Sequence, residues 1–258
     1  MFKIGVVQNS PKFLKAGENV AAALELMEKL EADLWVLPEL FASGYNFKSK
    51  KEAARCAEEI PSGPLCRLLK AWTTAKDCAV AAGLPEKAGG RLYNSAVLVS
   101  GGRVRLYRKS HLFGGEKRFF SPGDTGFWVA PVKGVPVGLM ICFDWLFPEA
   151  CRTLALKGAQ VVAHCANLVL PWGPEGMKLR SLENRVFTAT ADRVGRERGL
   201  RYIGQSQIVA PNGRILARLG EREIRACVVD IDPWTAKDKK VHPANDLFED
   251  RRPRLYAR

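Results

Sequence analysis

No two of the seven cysteines, at positions 56, 66, 78, 142, 151, 165 and 227, stand in a Cys-x-x-Cys spacing, and their number is odd. In a chain of 258 residues that argues against a disulfide framework. Long apolar runs are also missing. Nothing approaches the roughly 20 residues of a membrane span, and Met1 to Gln8 is too short, and too soon followed by Pro11, for a secretory core. The expectation is a reduced, cytoplasmic protein without a membrane partner. Acidic residues are scarce, 27 against 40 basic, for a net charge of +13. The basic residues are nevertheless scattered until the tail Arg251-Arg252-Pro253-Arg254, and no aromatic-interleaved RNA motif accompanies them. A solvated basic surface is therefore expected rather than nucleic-acid binding. An anionic substrate remains compatible with that surface.

What is present suffices for one sizeable core: 47% of residues are apolar and 26% charged. Ile4–Val7 and Leu34–Leu37 read as buried strands, and between them Val20, Leu24, Met27 and Leu30 share a helical face. Two helical stretches between Lys48 and Lys76 are separated by Pro61-Ser62-Gly63-Pro64. Cys78–Leu84, Ser95–Val99 and Val104–Tyr107 read as strands, the last two joined through Gly101-Gly102. Strand Val135–Ile141, helix Pro148–Leu156 and strand Val161–Ala163 follow. A Pro-rich loop at 170–174 then leads into a long helix from about Met177 to Arg193. Strands near Tyr202–Val209 and Glu223–Val229 are expected to pair across a turn at Pro211-Asn212-Gly213. Alternating strands and helices interrupted by hairpins predict an α/β layered fold with mixed sheets. The segment from about Pro233 has no core of its own and suits packing on a partner subunit.

Three strand ends carry reactive groups. Cys142 ends Val135–Ile141, Glu39 follows Leu34–Leu37 through Pro38, and Lys109 follows Val104–Tyr107. A thiol attacks as thiolate and has an ordinary pKa of about 8.5, so something must take its proton. His111, His164 and His242 are the only histidines, and none forms a recognisable pair with Cys142. Glu39 is the competing base. Attack on a carbonyl or nitrile carbon creates negative charge, which Lys109 and the Phe143 N–H after the nucleophile are placed to stabilise. Singly, each residue has an ordinary reading: a small buried hydrophobe, a solvated turn, a surface charge. Their combination decides the matter.

That combination resembles the nitrilase superfamily of carbon–nitrogen hydrolases, whose signature is a Glu, Lys, Cys triad in this chain order. Pro38-Glu39-Leu40-Phe41 with Ser43-Gly44-Tyr45 is similar to the first family motif, Tyr107-Arg108-Lys109-Ser110-His111-Leu112-Phe113 to the second, and Gly138 to Asp144 with Phe147-Pro148-Glu149 to the third. Tyr93-Asn94-Ser95-Ala96, Ser121-Pro122-Gly123-Asp124, Ala166-Asn167 and Arg180 to Arg185 are also family-like. The resemblance implies Glu39 as general base, Lys109 as catalytic lysine, Cys142 as nucleophile and Glu116 as a second glutamate that orients the site. It also implies a four-layer α-β-β-α sandwich of two mixed sheets in a single domain, 1–258, pairing as a homodimer or larger assembly. No cofactor or metal is implied.

Nitrile-hydrolysing members typically follow the cysteine with Trp-Glu, whereas Cys142-Phe143-Asp144 resembles the amidase-like branches. A small aliphatic amide is the expected substrate, with small aliphatic nitriles or dinitriles as the alternative. A basic polyanion-binding protein with an inactive triad is the remote one. Trp145, His164, Asn167, Trp172 and Met177 are the candidate substrate-pocket residues. Cys165 stands where many relatives have proline, which bears on the geometry of that loop.

Overall fold

The computed structural model describes residues 1–256. Residue parity along the first strands decides the layering. In β1 (Phe2–Gln8), Phe2, Ile4 and Val6 turn into one core and Val7 into another; in β2 (Leu34–Val36), Leu34 and Val36 take the first side and Trp35 the second. Strands apolar on both faces must be covered on both faces.

Two six-stranded mixed sheets result. The first runs Arg225–Ile231, β1, β2, β3 (Ala79–Ala88), β4 (Arg91–Ser100), β5 (Arg103–Arg108). The second runs β6 (Val129–Val132), β7 (Val135–Ile141), β8 (Val161–Cys165), β9 (Phe187–Ala191), Gln207–Val209, Ile215–Arg218. Ile4, Val36, Ala81 and Leu98 of the first share one core with Val137, Leu139, Ala163 and Ala189 of the second. Helix α1 (Ala16–Glu28) lies on the outer side of the first sheet. Two further helices, α2 (Lys50–Cys56) and α3 (Pro64–Lys76), follow it in the chain. Val20, Ala23 and Met27 of α1 join Cys66 and Leu69 of α3 against Trp35, Val80 and Val97. The second sheet is covered by α4 (Pro148–Leu156) and α5 (Gly173–Asn184), Leu154 of α4 seating against Gly138. The layers are α-β-β-α, as expected. Among the described residues no helix is long and apolar enough to cross a membrane.

Strand direction brings the site together. β1, β2 and β3 are mutually parallel, as are β7, β8 and β9. β5 is antiparallel to β4, which is antiparallel to β3, so β5 runs with β2. Glu39 and Lys109 thus leave their sheet at the same edge, and Cys142 leaves β7 beside Ala166 and Asn167 after β8. Carboxyl ends of parallel strands are where open α/β sheets place their sites. Gly101 and Gly102, at φ +53° and +71°, make the tight β4–β5 turn predicted for them.

Two expectations are corrected. The helix expected to reach Arg193 stops at Asn184, because Arg185 adopts a left-handed conformation at φ +49° and ends it. The β-branched and aromatic run Phe187-Thr188-Ala189-Thr190-Ala191 then forms a central strand. The turn at 211–213 is where it was expected, but its return strand is Ile215–Arg218. Arg225–Ile231 instead crosses to pair antiparallel with β1, joining the two sheets. The segment from Pro233 is anchored on its own chain. Lys239 Nζ donates to the Asn184 and Arg185 carbonyls at the end of α5, at 3.1 and 2.9 Å, and Arg152 covers the Phe248 ring.

Glu39 sits against a bare backbone. A Cβ on Gly83 would fall 2.5 Å from Glu39 Cα and 2.7 Å from Leu40 N. Gly83→Ala is expected to cost about 1–3 kcal/mol of stability, seen as a lower urea midpoint at unchanged m-value. An unchanged midpoint would mean that the Glu39 segment yields freely.

Candidate active site

Past β2 the chain stays tied to β3 by Leu37 N–H to Ala81 O at 2.8 Å and Gly83 N–H to Pro38 O at 3.2 Å, which fixes Glu39 rather than leaving it on a loose loop. On β5, alternation sends Tyr107 and Lys109 inward and Arg108 outward. Arg108 is clamped by two bonds to Glu86, Nε to Oε2 at 2.9 Å and Nη2 to Oε1 at 2.6 Å, and it stacks on Tyr93. The Lys109 N–H donates to Asn94 O at 2.8 Å. Lys109 is thereby delivered to the interior with no conformational freedom to spare.

Its ammonium lies between two carboxylates, donating to Glu39 Oε1 at 2.6 Å and Glu116 Oε1 at 2.7 Å, with all three side chains 4% exposed or less. Two negative groups share one positive group in a dry site, so one proton is expected to stay on the carboxyls. Burial, opposed by Lys109 and reinforced by the Glu116 charge, pushes the Glu39 pKa up to about 7, so near neutral pH this carboxyl exchanges between its acid and its carboxylate. Glu39 Oε1 accepts from Lys109 and from Asn94 Nδ2 at 2.7 Å, while Oε2 is buried with no hydrogen-bond partner. Glu116 is surrounded by donors. Besides Lys109, Tyr45 OH reaches its Oε1 at 2.5 Å and Phe113 N–H its Oε2 at 3.3 Å. Lys109 remains an ammonium, because the two carboxylates outweigh the burial that opposes its charge.

Cys142 has φ +39°. A non-glycine residue there stores roughly 1–3 kcal/mol of strain and marks a sharp turn between strand and helix. Two side chains hold that turn. Asp144 Oδ2 accepts from Ile141 N–H at 2.9 Å and Tyr107 OH at 2.7 Å, while its Oδ1 accepts from His111 N–H at 3.2 Å and lies 2.7 Å from His111 Nδ1. From the other side His164 Nε2 meets Cys142 O at 2.9 Å. A carbonyl only accepts, so the imidazole proton is on Nε2 and Nδ1 accepts from Thr190 Oγ1 at 3.1 Å. Burial pushes the His164 pKa down to about 4, which keeps the ring neutral in that role. Burial and the Glu39 charge together push the Cys142 thiol well above its ordinary value, against the pull of Lys109. The resting sulfur is a thiol, 3.7 Å from Asn167 O, and Asn167 Nδ2 donates to Glu39 O at 2.8 Å. Asn167 therefore links the segment bearing the acid to the one bearing the sulfur.

The space beside the sulfur is small, about 10 Å³, and lined by Phe113, Phe143, Trp145, Asn167 and Leu168 to Leu170. That is room for little more than one water. A far larger recess of about 690 Å³ lies between α1 and α3, but none of Glu39, Lys109, Glu116 and Cys142 lines it. Size does not locate the chemistry here.

Of the predicted pocket residues, Trp145 and Asn167 border the sulfur. Three do not. His164 is buried under the nucleophile turn with both ring nitrogens engaged, Met177 is wholly buried on the inward side of α5, and Trp172 stands 63% exposed ahead of that helix. Adjacency in sequence to the pocket loop misplaced them, since parity and helix phase turn these side chains elsewhere. Tyr45, Asn94 and Asp144 were visible only as parts of motifs, and no sequence signal gave their contacts.

A family model described as carbon-nitrogen hydrolase matches residues 3–240. The chain belongs to that family. Over 262 residues, the whole of both proteins, this hydrolase is 47% identical to a nitrilase of Pyrococcus abyssi. Over 228 residues, 86% of this chain and 80% of the relative, it is 39% identical to an (R)-stereoselective amidase of a Pseudomonas species. A solved variant of the amidase from Nesterenkonia sp. AN1, carrying acrylamide added at its active-site cysteine, aligns with a TM-score of 0.79 at 27% identity, covering 99% of this chain and 98% of that one.

The displaced Glu39 titration links to stability. Between its ordinary value of 4.5 and about 7 the folded carboxyl still binds a proton that the unfolded one has released. Stability contributed by that proton is complete below the lower value and is lost as pH rises through the upper one. Wild type should therefore lose stability relative to Glu39→Gln across this window, as measured by urea midpoints at a series of pH values. Parallel profiles would place the proton elsewhere.

Proposed function

We propose that this hydrolase cleaves the carbon–nitrogen bond of a small aliphatic amide through a thioester on Cys142, releasing ammonia and a carboxylic acid. The observation that carries this reading is the Lys109 ammonium bonded to Glu39 and Glu116, a cluster whose charges all act on the Cys142 thiol at its strained turn. Ionised Glu39 takes the thiol proton as sulfur attacks the carbonyl carbon, and the oxyanion is held by Lys109 and the Phe143 N–H. Glu39 returns the proton to nitrogen, the carbon–nitrogen bond breaks, and ammonia leaves. Water then attacks the thioester, Glu39 accepts its proton, and that proton returns to sulfur as the acid departs. The apolar side chains beside Cys142 suit a short acyl chain in character, with Trp145 and Asn167 as its contacts.

Nitrile hydrolysis is the second reading, favoured by the name of the 47% identical relative. It consumes one more water, because sulfur addition to a nitrile gives a thioimidate that must itself be hydrolysed to the thioester. Polyanion binding has less behind it: Arg198 with Glu52, Arg218 with Glu175 and Lys133 with Asp33 spend part of the positive charge within the molecule.

The same reading takes residues 1–258 as one hydrolase domain working in the cytoplasm as a homodimer. Trp172, Leu179 and Leu182 leave a stripe of exposed apolar surface along α5, near exposed Leu146. A second copy would cover it, with the exposed Trp234 and Val241 of the C-terminal segment as further contacts. Leu179→Glu is expected to shift the particle to the monomer mass in light scattering after gel filtration; an unchanged mass would exclude this face.

Cys142→Ala should abolish ammonia release from short amides while circular dichroism and melting remain those of the wild type. Ammonia release undiminished in that variant would refute the nucleophile. Nitriles turned over faster than the matching amides would promote the second reading.

A further inference from the structure

Arg193 and Glu197 form an ion pair that the chemistry above leaves unused. Their side chains are 1% and 4% exposed, and Arg193 Nη1 donates to Glu197 Oε2 at 2.8 Å. Arg193 Nη2 donates to Pro11 O at 3.2 Å, and the guanidinium lies over the Tyr202 ring at 4.1 Å. Buried pairs of this kind are poor sources of net stability, because desolvating both ions offsets most of their attraction. Their geometry is nevertheless stiff, and this pair grips the turn that carries Tyr45.

Glu197 Oε1 accepts the backbone N–H groups of Tyr45 at 2.9 Å and Asn46 at 2.5 Å. Asn46 Nδ2 returns a bond to Arg198 O at 3.1 Å. Gly44 makes the approach possible: its φ is +80°, and a Cβ there would stand 2.6 Å from Glu197 Oε2. The turn's internal bonds, Ser43 N–H and Gly44 N–H to Leu40 O, set its shape, and Leu14 N–H to Ser43 O at 2.9 Å ties its start to the segment before α1. Tyr45 packs edge-on against Tyr202, and its hydroxyl ends on the same Glu116 oxygen that accepts from Lys109. At the other end of the segment Asp192 Oδ1 accepts from both Leu168 N–H and Arg193 N–H at 2.8 Å, so the wall of the sulfur's cavity is tied in as well.

From this chain of contacts we infer that Glu197, locked by Arg193, is a positioning residue of the hydrolase: it fixes the Tyr45 turn so that the hydroxyl stays on Glu116, and through Glu116 it governs how one ammonium is divided between two carboxylates. The inference rests on the proposed function and deepens it. Without the hydroxyl donor the carboxylate charge is less stabilised, so the cluster takes up protons at higher pH.

Glu197→Gln retains a carbonyl oxygen for the two amides and removes the charge that Arg193 holds. The comparison is wild type, Glu197→Gln, Tyr45→Phe and the double variant. Each is read by kcat and KM on a short amide and by the pH profile of Cys142 alkylation with iodoacetamide. Glu197→Gln is expected to lower kcat about tenfold with KM changed by less than about twofold. The acid limb of alkylation should move up by roughly half a pH unit or more. In the Tyr45→Phe background the same substitution should add little, since its route runs through that hydroxyl. An equal loss in both backgrounds overturns the inference, as does a lower melting temperature with unchanged kcat and unchanged acid limb. A wild-type Cys142 no more reactive than the other thiols would sink the hydrolase reading, and this role with it. If Glu197→Gln does not fold, Arg193→Lys carries the same comparison, because it retains the charge and removes the two-armed grip.

Discussion

A single buried ammonium, shared by two carboxylates, is the constraint around which the rest of this molecule is arranged. Placing three ionisable groups out of water costs far more than any surface pair can repay, and the arrangement persists only where every geometry is fixed. The fixing is visible on each side. Lys109 is pinned through Arg108 and Asn94, Glu39 through Gly83 and Asn167, and Glu116 through Tyr45 and Phe113. The excess of one negative charge is eased because burial raises the Glu39 pKa to about 7 and keeps the sulfur as a thiol.

The sulfur obeys a different constraint. Cys142 is kept in an unfavourable backbone region by groups whose polar atoms are already committed within the protein. Asp144 gathers Ile141, Tyr107 and His111 on one side, and neutral His164 supports the carbonyl on the other. His164 is a good instance of a residue whose chemistry invites a catalytic reading and whose surroundings refuse it, since both nitrogens are already committed and burial drives its pKa down to about 4.

How much of this was legible in the sequence follows from the range of the interactions involved. The inner-sheet strands, the turns at Gly101-Gly102 and 211–213, and the helix that begins at Pro148 are specified locally, by side-chain parity and by residues with restricted backbones. The three strand-end groups were legible for the same reason, because each sits one or two residues past an apolar run. What local pattern could not supply was pairing. The run 187–191 resembles the end of a helix until Arg185 is seen to leave the helical region, and nothing in 225–231 announces that it will leave one sheet for the other. The contacts of Tyr45, Asn94 and Glu197 lie beyond such reading too, as they span 71, 55 and 152 residues.

The two sheets divide the machinery between them. The first supplies the Glu39 carboxyl and the Lys109 ammonium, the second the Cys142 sulfur, and only their face-to-face packing brings them together. One layer without the other lacks the cluster of sulfur, ammonium and carboxyls, whatever its secondary structure. Competence therefore requires both layers, because neither sheet alone brings the sulfur to the carboxylates.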